Sequence, residues 1–113
     1  MVYKKSAIKK IVKELVKVLS NKIKIEKVIL FGSCATKSYN KYSDIDLAVV
    51  SSSFKGVDDI DRLKILLSGL KEIKIPYLVN IDLLGFTREE LNHPDCFSIT
   101  GEISQKGKMV YSL

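Results

Sequence analysis

Val28-Ile29-Leu30-Phe31 is a short apolar run without polar alternation that stops at Gly32-Ser33. A strand with one wet face alternates polar and apolar residues, so a run like this predicts a strand buried on both faces and ended by a turn. Such a strand needs covering layers above and below it. Amphipathic helices on either side in sequence are the natural source of those layers.

The chain supplies them. From about Ser6 to Asn21, Ile8, Ile11, Val12, Leu15, Val16 and Leu19 recur at helical spacing with lysines between them. Cys34 to Ser43 is polar and turn-rich, which predicts a surface connection. Asp44 to Val50 reads as a second strand, and Tyr77 to Leu84 as a third in which Asp82 is the only charge. Between these two strands, Asp58 or Asp59 is placed to cap a helix that carries Ile60, Leu63, Leu67 and Leu70 on one face and ends before Pro76. Thr87-Arg88-Glu89-Glu90 has the form of a capping box. A last helix from about Pro94 to Gln105, closed by Gly107, and a final strand at Met109-Val110-Tyr111 complete the reading. The alternation predicts an α/β sandwich with a small, mostly buried sheet in one domain, residues 1–113.

Composition narrows the class. With 46% hydrophobic and 28% charged residues, the chain is expected to form a globular core. No apolar run approaches the roughly 20 residues of a membrane span, and the start lacks the apolar core of a signal peptide. The two cysteines, Cys34 and Cys96, form no CxxC pair and fit a reducing compartment, so a cytoplasmic protein is expected. The net charge of +6 is concentrated in lysines that precede the first motif. With no aromatics between them, those lysines read as a solvated helix face, which disfavours nucleic acid as a partner.

Asp44 and Asp46 carry the chemistry. Residues two apart on a strand share a face, so both carboxylates lie on one side with backbones roughly 6 to 7 Å apart. Two acids beside Ile45, Leu47, Ala48, Val49 and Val50 are costly unless a cation lies between them or the strand is an edge with one wet side. Asp82 repeats the anomaly, either as a third ligand or as a strand-end acid bonded to nearby backbone. Three carboxylates on neighbouring strands suit two Mg²⁺ ions, which prefer oxygen ligands and keep waters for a substrate's phosphates. Two such ions clamp both the attacking and the leaving oxygen in displacement at phosphorus. Gly32 lets the backbone approach a ligand, and Ser33 offers an N–H and a hydroxyl to an anion such as a phosphate.

Gly32-Ser33, a ten-residue gap, Asp44-Ile45-Asp46-Leu47 and a later acid at Asp82 resemble the signature of the nucleotidyltransferase superfamily related to DNA polymerase beta. The shortness of the chain and its closing Glu102 to Tyr111 are similar to the minimal nucleotidyltransferases of prokaryotes, MntA-type antitoxins among them. This resemblance implies a small mixed sheet packed with helices, the polymerase beta-like fold. It implies Asp44, Asp46 and Asp82 as catalytic and metal-binding residues, Asp82 also helping to deprotonate the attacking hydroxyl, and Gly32 and Ser33 on the β- and γ-phosphates of ATP. It further implies transfer of AMP to a protein hydroxyl, a tyrosine of a HEPN-domain helical partner encoded nearby, in a toxin–antitoxin pair. A homodimer is a further candidate assembly. The run Cys34-Ala35-Thr36-Lys37 departs from the basic, arginine-containing continuation common in the family. The alternative function is therefore a weakened nucleotidyltransferase-fold module that neutralises its partner by contact.

Overall fold

The computed structural model describes residues 5–31, 45–73, 81–92, 103 and 107–112. Helix α1 (Lys5–Leu19) leads into strand β1 (Ile25–Phe31) and strand β2 (Ile45–Ser51). A single 3-10 turn, Ser52–Phe54, precedes α2 (Asp59–Leu70), β3 (Ile81–Phe86), α3 (Arg88–Asn92) and β4 (Lys108–Ser112). The strands form one sheet in the order β3-β2-β1-β4. β1 runs antiparallel to both β2 and β4, whereas β2 and β3 are parallel, so the sheet is mixed.

Residue parity sorts the sheet's two faces. Val28 and Leu30 of β1, Ile45, Leu47 and Val49 of β2, and Leu83 of β3 join the apolar stripe of α1 and Leu66 of α2 in the larger core. Their alternates, Phe31, Ala48 and Val50, pack with Leu91 of α3 and with Ile103 in a smaller one. β2 is thus an internal strand with core on both sides. The edge-strand explanation for its acids is excluded, because β2 lies between β3 and β1.

The capping signals act as their chemistry predicts. Asp58 Oδ1 accepts from the Asp61 N–H at 2.8 Å and starts α2. At α3 the Thr87 N–H donates to Glu90 Oε1 at 2.7 Å, while the Glu90 N–H donates to Thr87 Oγ1 at 3.3 Å. This is the reciprocal pair of a capping box. The exposed lysines of α1 (Lys9, Lys10, Lys13 and Lys17) form the solvated face expected of them.

α2 departs from expectation. Of the face predicted from Ile60, Leu63, Leu67 and Leu70, the first three are turned to solvent, with exposures of 68, 42 and 40%, while Leu70 packs partly buried against the larger core. Arg62, Leu66 and Gly69 are buried instead. Two interactions turn the helix this way. A Cβ on Gly69 would lie 2.5 Å from Leu19 Cδ2, so glycine there allows α2 to approach α1 more closely than any side chain would permit. Arg62 supplies the second, through a set of hydrogen bonds described below. The predicted helix from Pro94 to Gln105 lies outside the described residues except for Ile103, which is helical and whose carbonyl accepts from the Gly107 N–H at 2.9 Å.

Candidate active site

Strand register places two of the predicted residues side by side. Asp46 and Asp82 are Cα partners across the parallel β2–β3 pair. Neighbouring strands run about 4.8 Å apart, and parallel partners project on the same face of the sheet. That face is the one on which Ala48, Val50, Leu84 and Phe86 build the smaller core. Asp46 is half-buried and Asp82 exposed, so the pair lies where the core opens to solvent.

The third strand in register brings the chain's turn to the same place. Phe31, the last residue of β1, is the antiparallel partner of Asp46. The chain therefore leaves β1 beside the carboxylate pair, and Gly32-Ser33 follow at once in sequence. Gly32, Ser33 and Asp44 themselves lie outside the described residues, as does the run from Cys34 to Lys37. Asp44 precedes the first residue of β2, two positions before Asp46. The antiparallel direction of β1 means that the site combines the carboxyl end of β1 with the amino ends of β2 and β3.

Like charges opposite one another in a sheet are ordinarily destabilising. Asp46 and Asp82 offer only oxygen donors, the donor type that hard divalent cations prefer. Among the described residues no three His, Cys, Asp or Glu side chains converge.

One polar cluster escaped the sequence reading. Arg62, a residue 7% exposed, donates through Nε to the Val57 carbonyl at 2.7 Å and through Nη2 to the Phe54 carbonyl at 2.9 Å. Its Nη1 donates to the Gly85 carbonyl at 3.1 Å and to Glu90 Oε1 at 2.7 Å. The guanidinium also lies 5.6 Å from the centre of the Phe54 ring. Five planar donors suit this role, which a lysine could not fill. Burial pushes the Glu90 carboxyl up, but hydrogen bonds from Arg62 and Thr87 outweigh it and hold Glu90 below its ordinary value of 4.5.

This cluster ties α2, β3 and α3 together. Because β3 is an edge strand, Arg62 on its Gly85 carbonyl helps to hold the register that aligns Asp82 with Asp46. Gly85 is needed at that point for a second reason: a Cβ there would lie 2.7 Å from the ring of the fully buried Phe54. The available sequence signal was scarcity, since Arg62 is one of only two arginines in a chain whose other basic residues are lysines.

Comparison with known proteins agrees with this architecture. The family model described as polymerase beta, nucleotidyltransferase matches residues 13–112. No curated protein matches the chain. Among solved structures, a candidate nucleotidyltransferase from Sulfolobus solfataricus is similar with a TM-score of 0.67 and 24% identity, covering 99% of this chain and 92% of that one. A toxin–antitoxin structure with AMP-PNP is similar with a TM-score of 0.59 and 22% identity, covering 93% of this chain and 73% of that one. A mutant of the toxin–antitoxin MntA-HpeT, in which two aspartates two positions apart are changed to glutamate, gives a TM-score of 0.56 and 21% identity over the same shares of the two chains. Those identities establish likeness of fold, and the family model, spanning all four strands and the aligned carboxylates, establishes kinship: the chain belongs to the polymerase beta nucleotidyltransferase family.

Proposed function

We propose that this protein is a Mg²⁺-dependent nucleotidyltransferase of the minimal, MntA-like type that moves AMP from ATP to a protein hydroxyl, as the antitoxin of a toxin–antitoxin pair. The observation that carries this reading is the register of Asp46 against Asp82 at one end of the sheet. Membership of the nucleotidyltransferase family supports the reaction class. The toxin–antitoxin neighbours, one of them with AMP-PNP, support the nucleotide and the kind of partner. The altered aspartates of the other neighbour have the spacing of Asp44 and Asp46.

In this reading Asp44, Asp46 and Asp82 hold two Mg²⁺ ions, which when bound neutralise the triphosphate and stabilise charge on the leaving pyrophosphate. Asp82, the more exposed of the aligned pair, takes the proton from the attacking hydroxyl. The Ser33 N–H and hydroxyl bind the β- and γ-phosphates, and Gly32 leaves room for them. The acceptor is a tyrosine of a helical HEPN-domain partner, whose surface completes the site, and the pair works in the cytoplasm.

Labelled ATP, Mg²⁺ and the product of the adjacent gene test this directly. Wild type is expected to label the partner, and Asp46→Asn to lower the rate by at least about 100-fold. Thermal unfolding gives a readout independent of turnover. Mg²⁺ should raise the melting temperature of wild type by mass action and leave that of Asp46→Asn unchanged. Absence of transfer by wild type, or a Mg²⁺ response that survives in Asp46→Asn, would overturn the assignment.

A further inference from the structure

We propose that the protein forms a two-fold homodimer in which the exposed face of α2 packs antiparallel against the same face of a second copy. Ile60, Leu63 and Leu67 are all exposed on one side of this helix, although exposed large apolar residues on a charged chain are normally scattered singly. The stripe continues into an open groove of about 360 Å³ between α2 and β3, lined by Ile60, Leu63, Leu84 and Phe86. β3 is an edge of the sheet whose one charge is the exposed Asp82 at its amino end, leaving Leu83 to Phe86 without a charged residue. Helix face and groove adjoin, with Asp59 and Arg62 also lining the groove beside the apolar side chains.

The charges identify the occupant. Exposed positions equidistant from residue 65 are complementary in pairs, Leu63 with Leu67 and Asp59 with Lys71, with Ile60 beside them. A two-fold axis through that midpoint brings each Asp59 to the Lys71 of the other copy and leucine onto leucine. An isologous interface demands this self-complementarity. Asp59 and Lys71 lie about 18 Å apart along the helix, so the two ion pairs flank the apolar centre as a polar rim. Parallel packing would instead set Asp59 against Asp59. With a net charge of +6, copies of the chain repel one another over most approaches, and a face carrying both signs is where that repulsion is relieved.

The chain alone, at concentrations up to about 100 μM, is the material for the test, with mass measured by sedimentation and light scattering. A species of twice the 12.7 kDa chain mass is expected, growing with concentration. Leu63→Glu should weaken it at least about tenfold with unchanged circular dichroism, because Leu63 is already half in water. Asp59→Lys and Lys71→Asp should each weaken it, and the double exchange should restore it, an outcome that a fold defect cannot mimic. A monomer throughout this range, a dimer indifferent to Leu63→Glu, or a double exchange no better than its parents would overturn the proposal. So would a monomer whose α2 face is needed only to bind the adjacent gene's product.

Discussion

Helices α1 and α2 carry the same kind of pattern and meet opposite fates. The stripe of α1 is covered by the sheet, with Leu15 fully buried, whereas the stripe of α2 faces solvent and a neighbouring face bearing Arg62, Leu66 and Gly69 is buried in its place. Periodicity reports that a helix has an apolar side. It does not report which side the rest of the chain will cover, because burial on α2 is decided by a guanidinium meeting three carbonyls and by a glycine admitting Leu19.

The sharpest way to break the comparison is to truncate both stripes. Leu15→Ala should cost about 2–5 kcal/mol in a denaturant titration, while Leu63→Ala, measured on dilute protein, should stay within about 0.5 kcal/mol. Equal costs would mean that the α2 stripe is covered in the free chain. Arg62→Leu comes next, at about 3 kcal/mol, because the apolar side chain leaves the carbonyls of Phe54, Val57 and Gly85 without their donor. Hydrogen exchange should then show β3 opening ahead of β1 and β2.

Gly69→Ala is expected to cost about 1 kcal/mol net. Relief of the glycine's helix penalty offsets part of the clash with Leu19, which is itself buried and cannot swing aside. The smallest effect belongs to pH. The folded state holds Glu90 below its ordinary 4.5, so its contribution is present above that value and is lost as pH falls through the lowered one. Wild type should lose stability over that acid window more steeply than Glu90→Gln. The difference should be modest, because the Glu90 side chain is 43% exposed and water screens the pair. Parallel pH curves for the two proteins would remove Glu90 from the Arg62 cluster.

The elements legible in advance were those set by local chemistry. The caps at Asp58 and Thr87–Glu90 follow from side chains that reach backbone N–H groups within one turn. β1, β2 and β4 fall where apolar runs predict them, and β3 covers the later part of its predicted segment, with residues 74–80 outside the described chain. Of the candidate site, Asp46 and Asp82 are found together. Arg62 was not foreseen because its partners come from residues 54, 57, 85 and 90, and nothing local shows that such distant groups will meet.

By itself the sequence determined that the chain alternates helix and strand, and that Asp46 and Asp82 each interrupt an otherwise apolar strand. These are consequences of the two- and 3.6-residue periods and of what each side chain costs to bury. Only the tertiary structure decided that β2 is internal, that β3 lies parallel to it with Asp82 opposite Asp46, and which side of α2 is left in water. Register and covering depend on contacts between residues far apart in the chain. A local pattern can permit such contacts without selecting them.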